Sequence, residues 1–170
     1  MNYADIKYCD VANGEGVRVS LFVSGCTHHC KECFNKEAWD FHYGNLFTQK
    51  EIDRILEYLK PNYIAGLSLL GGEPMEPVNQ EGILPLLRVV KQTYPEKNIW
   101  CYTGYLFDKD VLDKMCKESE VTKEIVSYLD IVVDGEFMKI NFRGSDNQRI
   151  IDVKKTLDAG EIVHWEREIQ

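Results

Sequence analysis

Each strand that can be read from this sequence stops on a short, chemically distinctive run, and that regularity constrains the fold more than any other feature. Val17–Val23 alternates and then turns fully apolar, as a strand entering a core does. It ends at Ser24-Gly25, and Cys26, Cys30 and Cys33 follow at once. Ile64–Leu70 is an apolar run of buried-strand length leading into Gly71-Gly72-Glu73-Pro74. Asn98–Thr103 closes on Gly104, and Leu129–Val133 closes on Asp134-Gly135.

Helical patterns separate these strands. Thr48-Gln49-Lys50-Glu51 is a capping box, and Ile52, Ile55, Leu56 and Leu59 then share one face before Pro61 stops the helix. A second helix is expected within Asn79–Tyr94, with Pro85 near its first turn or kinking it. Asp108 is placed to cap a third, which carries Val111, Leu112, Met115 and Cys116 on one face, and Val121–Tyr128 reads as a further short helix. Past Phe137 the pattern weakens, with Glu161–Trp165 suited to a late edge strand.

Strands alternating with helices imply right-handed βαβ units and a mainly parallel α/β sheet. Ligands of such sheets bind beyond the carboxyl ends of the strands, where all four distinctive runs fall. A closed eight-unit barrel takes about 250 residues. A chain of 170 residues is therefore expected to form one domain over residues 1–170, a partial, open (β/α) barrel.

The net charge of −8 argues against nucleic acid or an anionic membrane as the primary partner, since both demand a cationic face. Met1–Tyr8 lacks the pattern of a signal peptide, and no run of apolar residues is long enough to span a membrane. The expected location is the cytoplasm, where thiols stay reduced. Six cysteines there read as metal ligands and spare thiols rather than as three disulfides.

The spacing Cys26-x3-Cys30-x2-Cys33 puts three thiolates on one tight loop. Three thiolates can hold three irons of a cubane cluster and leave the fourth open to a small chelating molecule. A structural zinc with His28 or His29 as fourth ligand is the alternative, and the loop alone leaves both open. A thioredoxin-like reading of Cys30 and Cys33 gives Cys26 no role. Cys9, Cys101 and Cys116 are read as ordinary thiols, the last two at apolar positions.

The surroundings carry a resemblance. Gly14-Glu15-Gly16-Val17-Arg18, then Phe22, Gly25-Cys26, Cys30, Cys33, Asn35 and Trp39-Asp40, resembles the glycyl-radical-enzyme activases of the radical S-adenosylmethionine superfamily. Gly71-Gly72-Glu73-Pro74 resembles that superfamily's Gly-Gly-Glu motif, which meets the amino group of the bound methionine moiety. Glycines permit close backbone approach there, and a carboxylate can accept an ammonium. Trp100–Tyr105, Asp134–Phe137 and Arg143–Arg149 make the chain most similar to the activases serving anaerobic ribonucleoside-triphosphate reductases. The pyruvate formate-lyase activases, an alternative within the superfamily, are longer.

The resemblance implies a [4Fe–4S] cluster on Cys26, Cys30 and Cys33, with S-adenosyl-L-methionine as second cofactor. It implies Gly72 and Glu73 at the methionine end, Phe34 as an apolar wall for adenine, and Glu32 and Cys33 in the same pocket, while Thr103 and Asp134 are candidates to line it from their place at strand ends. Glu32 stands where many members carry an aromatic residue. The implied reaction is reductive cleavage of S-adenosylmethionine followed by formation of a glycyl radical on the large reductase subunit. The implied electron donor is of flavodoxin or ferredoxin type.

Overall fold

The computed structural model describes residues 1–137 and 147–167. Among them are seven strands, β1 (Asn2–Asp10), β2 (Val17–Val23), β3 (Asn45–Leu46), β4 (Ile64–Gly71), β5 (Asn98–Thr103), β6 (Ile131–Asp134) and β7 (Arg149–Asp152). They make one sheet in the order β3-β1-β2-β4-β5-β6-β7. The central strands β2, β4, β5 and β6 are parallel. Their crossovers carry α1 (Gln49–Leu59), α2 (Pro77–Thr93), and a third helical stretch. That stretch is a wide, π-type segment at Phe107–Met115 followed by α3 (Cys116–Glu118) and α4 (Glu120–Tyr128), and α5 (Val153–Ala159) follows β7.

The α/β class and the parallel centre match the expectation. The barrel does not: β1 and β7 pair antiparallel with β2 and β6, and the sheet is open. The short 11–16 connection can only return the chain antiparallel, because a parallel neighbour needs a crossover of a dozen or more residues. The βα repetition therefore ends on both sides.

Side chains alternate across the parallel strands. Val19, Leu21, Leu67, Leu69, Ile99, Cys101 and Val132 belong to the main core, packed with Ile55 and Leu59 of α1, Leu86, Leu87 and Val90 of α2, and Ile125 of α4. The opposite face carries Arg18, Ser20, Ser68 and a small separate cluster of Trp100, Ile131 and Val133, against which Trp165 packs. The segment around Trp165 thus returns over this second face, its ring edge-on to Trp100 at 5.3 Å.

Arg18 is fully buried on that face and organises it. Its Nε donates to Ser68 Oγ (2.7 Å), Nη1 to Asn98 Oδ1 (2.7 Å) and the Glu15 carbonyl (3.0 Å), and Nη2 to the Leu67 carbonyl (2.9 Å). Ser68 Oγ in turn donates to the Asn13 carbonyl at 2.6 Å. Burial lowers the Arg18 pKa to about 10, so it stays charged at neutral pH. The 13–16 turn is thereby tied to the strands by donors that would be left unsatisfied without it.

Several local expectations hold. Thr48 and Glu51 form the capping box, the Glu51 carboxylate accepting the Thr48 N–H at 2.8 Å. α2 begins before the expected span, with Pro77 at its start where no N–H is needed, and Pro85 lies inside it. Asp108 does not cap the following helix. The Asp110 carboxylate takes the Leu106 N–H (3.0 Å), while Asp108 turns to Arg149 (2.8 Å). Glu161–Trp165 forms only an isolated bridge, His164 to Ile151, and not a strand. Arg143–Asp146 of the polar run lies outside the described residues. No described helix is long and apolar enough to cross a membrane.

Asp130, just before β6, joins three elements. Its carboxylate meets Lys91 Nζ (2.9 Å) and Lys154 Nζ (3.1 Å) and accepts the Ile99 N–H (2.9 Å). Burial raises its pKa, but the Lys91 bond, the Ile99 N–H and Lys154 outweigh this and hold it below the usual carboxylate value. A depressed carboxylate stabilises the fold above its unfolded pKa and loses that contribution as pH falls through the folded one. Asp130→Asn should cost about 1–2 kcal/mol at neutral pH. In urea titrations across pH, the gap to wild type should begin to narrow as pH falls below about 4 and vanish only once the folded carboxylate is itself protonated. A gap that stays constant to pH 2 would contradict this.

Candidate metal centre

The cysteine loop leaves β2 through Gly25, whose φ of +98° suits glycine, and a Cβ there would meet the Phe41 ring at 2.2 Å. Backbone bonds fix its course: Gly25 N–H donates to the Ala38 carbonyl (2.8 Å), Cys26 N–H to Trp39 (3.2 Å) and Cys33 N–H to Cys30 (3.0 Å). Thr27 N–H donates to Glu76 Oε1 at 2.9 Å, which ties the loop to the residue preceding α2. Cys26 is buried, Cys30 and Cys33 are half-buried, and all three are free thiols. They line one cavity of about 250 Å³. Burial pushes the Cys26 thiol up to about 11 and raises that of Cys30. A metal that takes these sulfurs as thiolates must therefore displace protons.

The glycine turn after β4 is laid directly on this loop. Gly72 N–H donates to the Val23 carbonyl (2.7 Å) and Glu73 N–H to the Gly25 carbonyl (2.8 Å). A Cβ on Gly72 would stand 2.6 Å from the Gly25 oxygen and 2.9 Å from that of Ala38, both backbone atoms that cannot swing away. Asn79, fully buried on α2, braces the junction, its Nδ2 donating to the carbonyls of Gly25 (3.3 Å) and Glu73 (2.9 Å).

Glu73 is the hub of the rim. With 1% exposure, its Oε1 accepts from the Met75 N–H (2.8 Å) and Thr103 Oγ1 (2.7 Å), and its Oε2 from the Gly104 N–H (2.7 Å). His28 Nε2 stands 3.1 Å from Oε2 in an ion-pair contact bent off the hydrogen-bond line. The carboxylate beside it raises the His28 pKa. These contacts use most of the acceptor capacity of a carboxylate.

Cys26, Cys30, Cys33, Phe34, Gly72, Glu73 and Thr103 all line the cavity. Phe34, 80% exposed, stands at its lip, edge-on to Phe137 at 5.5 Å. Thr103 reaches the site chiefly through its bond to Glu73. Glu32 and Asp134 are not among the lining residues. Glu32 is exposed. Asp134 is fully buried behind the rim, where it accepts from the Phe107 N–H (2.7 Å) and Arg149 Nε (2.9 Å), and Gly135 reaches the cavity instead. Sequence reasoning did not find the roles of Asn79, Glu76 and His28 in joining the loop to the turn, nor Tyr102 and Trp39 on the cavity wall.

The donor set fits a cluster with one open iron better than a single ion. Neither nitrogen of His28 turns to the thiols: Nε2 faces Glu73, and Nδ1 lies 3.9 Å from Glu136. His29 is exposed and stacked on Trp39 at 4.5 Å. The loop thus offers three thiols with no histidine turned to join them, a set that suits a cubane, which spreads its thiolates around separate irons.

Residues 12–151 match the family model described as a 4Fe-4S single cluster domain. The chain is 43% identical over 155 residues to the anaerobic ribonucleoside-triphosphate reductase-activating protein of Enterobacteria phage T4, covering 88% of this chain and 93% of that protein. The protein of the same name from Haemophilus influenzae is 42% identical over 158 residues, 88% of this chain and 97% of its own. That of Escherichia coli K12 is 36% identical over 156 residues, 87% and 96% respectively. Similarity of this extent, running through the cysteine loop, the glycine turn and the β5 and β6 rims, makes the chain a member of the family of anaerobic ribonucleoside-triphosphate reductase-activating proteins.

Proposed function

We propose that this protein is a radical S-adenosylmethionine enzyme that generates a glycyl radical on an anaerobic ribonucleoside-triphosphate reductase. The observation that carries the reading is the convergence of three free thiols and the Gly71–Pro74 turn on one cavity at the carboxyl ends of parallel strands. In this reading Cys26, Cys30 and Cys33 hold a [4Fe–4S] cluster, and the Gly72–Glu73 turn receives the methionine end of S-adenosylmethionine. When bound, the reduced cluster supplies the electron that breaks a carbon–sulfur bond of S-adenosylmethionine, giving methionine and a 5′-deoxyadenosyl radical able to take hydrogen from a glycine Cα.

The chain's own part is placement and shielding. Asn79, Glu76 and the Gly25–Glu73 backbone bond fix the distance between the thiols and the glycine turn. Leu70, Trp39 and Phe34 give the cavity apolar wall against water, which a carbon radical requires. Phe34 and Phe137 at the lip present an apolar edge to which a loop of a protein substrate can seal. The reductase is the macromolecular partner, with a flavodoxin- or ferredoxin-type protein as electron donor.

Replacing any one of Cys26, Cys30 or Cys33 by Ala should abolish S-adenosylmethionine cleavage and deplete iron and sulfide, whereas Cys9→Ala, Cys101→Ala and Cys116→Ala should retain the cluster. Full iron and sulfide in Cys30→Ala would refute the ligand set. Glu73→Ala should leave the cluster but weaken S-adenosylmethionine binding roughly ten- to a hundredfold, on the strength of a charge-assisted hydrogen bond. Unchanged affinity would reduce Gly71–Pro74 to a turn. The function itself is tested by mixing anaerobic protein, reductant, S-adenosylmethionine and a cognate reductase. A glycyl radical signal in electron paramagnetic resonance supports it, and its absence with a full cluster counts against it.

A further inference from the structure

The cysteine loop contains a side chain that the proposed chemistry leaves without a task. His28 lies between Cys26 and Cys30, yet the contacts of its ring are with Glu73, Glu136, Gly104 and Tyr105 of the rim. Its side chain is 12% exposed, and it packs edge-on against Tyr105 with ring centroids 4.3 Å apart. The neighbouring Gly104 makes room for it, since a Cβ there would stand 2.7 Å from the ring. One nitrogen reaches Glu73 and the other faces Glu136 from the segment after β6. His28 thus touches every part of the rim that the fold brings together: the cysteine loop, the glycine turn, the β5 end and the β6 end.

We propose that His28 is a positioning residue, and not a metal ligand, that sets S-adenosylmethionine affinity by holding the Glu73 carboxylate in register with the cysteine loop. The inference rests on the functional reading above. Three donors already fix Glu73 to its own turn and to β5, namely Met75 N–H, Thr103 Oγ1 and Gly104 N–H. Asn79 and Glu76 join the loop to the turn through backbone groups and Thr27. Among the described residues the His28 contact is the one that joins the Glu73 carboxylate itself to the loop that carries the thiols. The bent 3.1 Å geometry is of the kind that tightens when a ligand fills a site. A histidine also offers its donor from a rigid ring, whereas the exposed neighbour His29 makes no contact with the glycine turn among the interactions described.

Two variants separate the contact from ring packing. His28→Phe keeps an aromatic ring against Tyr105 but has no donor, and His28→Gln keeps a donor of similar reach without the ring. Both are reconstituted anaerobically, iron and sulfide are counted, and S-adenosylmethionine affinity is measured with the cluster held oxidised so that no cleavage occurs. The expected result is full iron and sulfide in both variants, an affinity loss of roughly tenfold or more in His28→Phe, and near wild-type affinity in His28→Gln. Wild-type affinity in His28→Phe, or equal losses in both variants, would overturn the inference in favour of ring packing. Iron loss in both would overturn it in favour of ligation. A wild-type protein with a full cluster and no affinity for S-adenosylmethionine would instead overturn the functional reading, and this inference with it.

Discussion

The site depends on one backbone contact, the Glu73 N–H on the Gly25 carbonyl, which holds the glycine turn after β4 against the cysteine loop after β2. Parallel pairing brings the two strand ends side by side, with Val23 opposite Gly71. Only glycine at position 72 allows the approach, because any Cβ would collide with two carbonyl oxygens. Asn79 and Glu76, both buried, then lock loop and turn to the start of α2. The cysteine loop and the glycine turn are therefore bonded into one assembly rather than standing as two separate loops.

This arrangement explains why a short sheet suffices. A closed barrel would wall the cavity from all sides, whereas here the parallel centre supplies only the floor and one rim. Trp165 and the residues around it cover the lower part of the second face, against Trp100. The upper lip keeps Phe34 exposed. Among the described residues the cavity therefore has an open side, which is what the proposed reaction on another protein requires. Binding, orientation and shielding are what the protein contributes where a cofactor carries the hard chemistry.

Much of this was legible in the residues. The apolar run Val17–Val23, the capping box at Thr48 and the breaks at Gly71 and Gly104 are local signals, and each marks a real boundary. The cysteine spacing marks the loop proposed to hold the cluster for the same reason, since its three thiols are close in sequence. What was hidden depends on long-range partners. β1 reads poorly because Asp5, Lys7 and other polar residues break its apolar pattern, and only Tyr3 of the strand is buried, next to the two-residue edge strand β3. Asp108 looked like a cap until Arg149, 41 residues away, drew it off together with buried Asp134. Glu73 looked like a free acceptor, and only the fold reveals the three bonded donors and the His28 contact that engage it.

The central claim is that the three thiolates leave one iron open and that the glycine turn delivers the amino end of S-adenosylmethionine to it. Electron–nuclear double resonance tests this most directly, on protein loaded in the oxidised state with S-adenosylmethionine carrying a ¹⁵N-labelled amino group and then reduced by irradiation in the frozen state so that no cleavage occurs. The account predicts a resolved hyperfine coupling between that nitrogen and the cluster, and none when the ¹⁵N label is placed in the adenine ring instead. A fully loaded, S-adenosylmethionine-bound protein with no such coupling would contradict it.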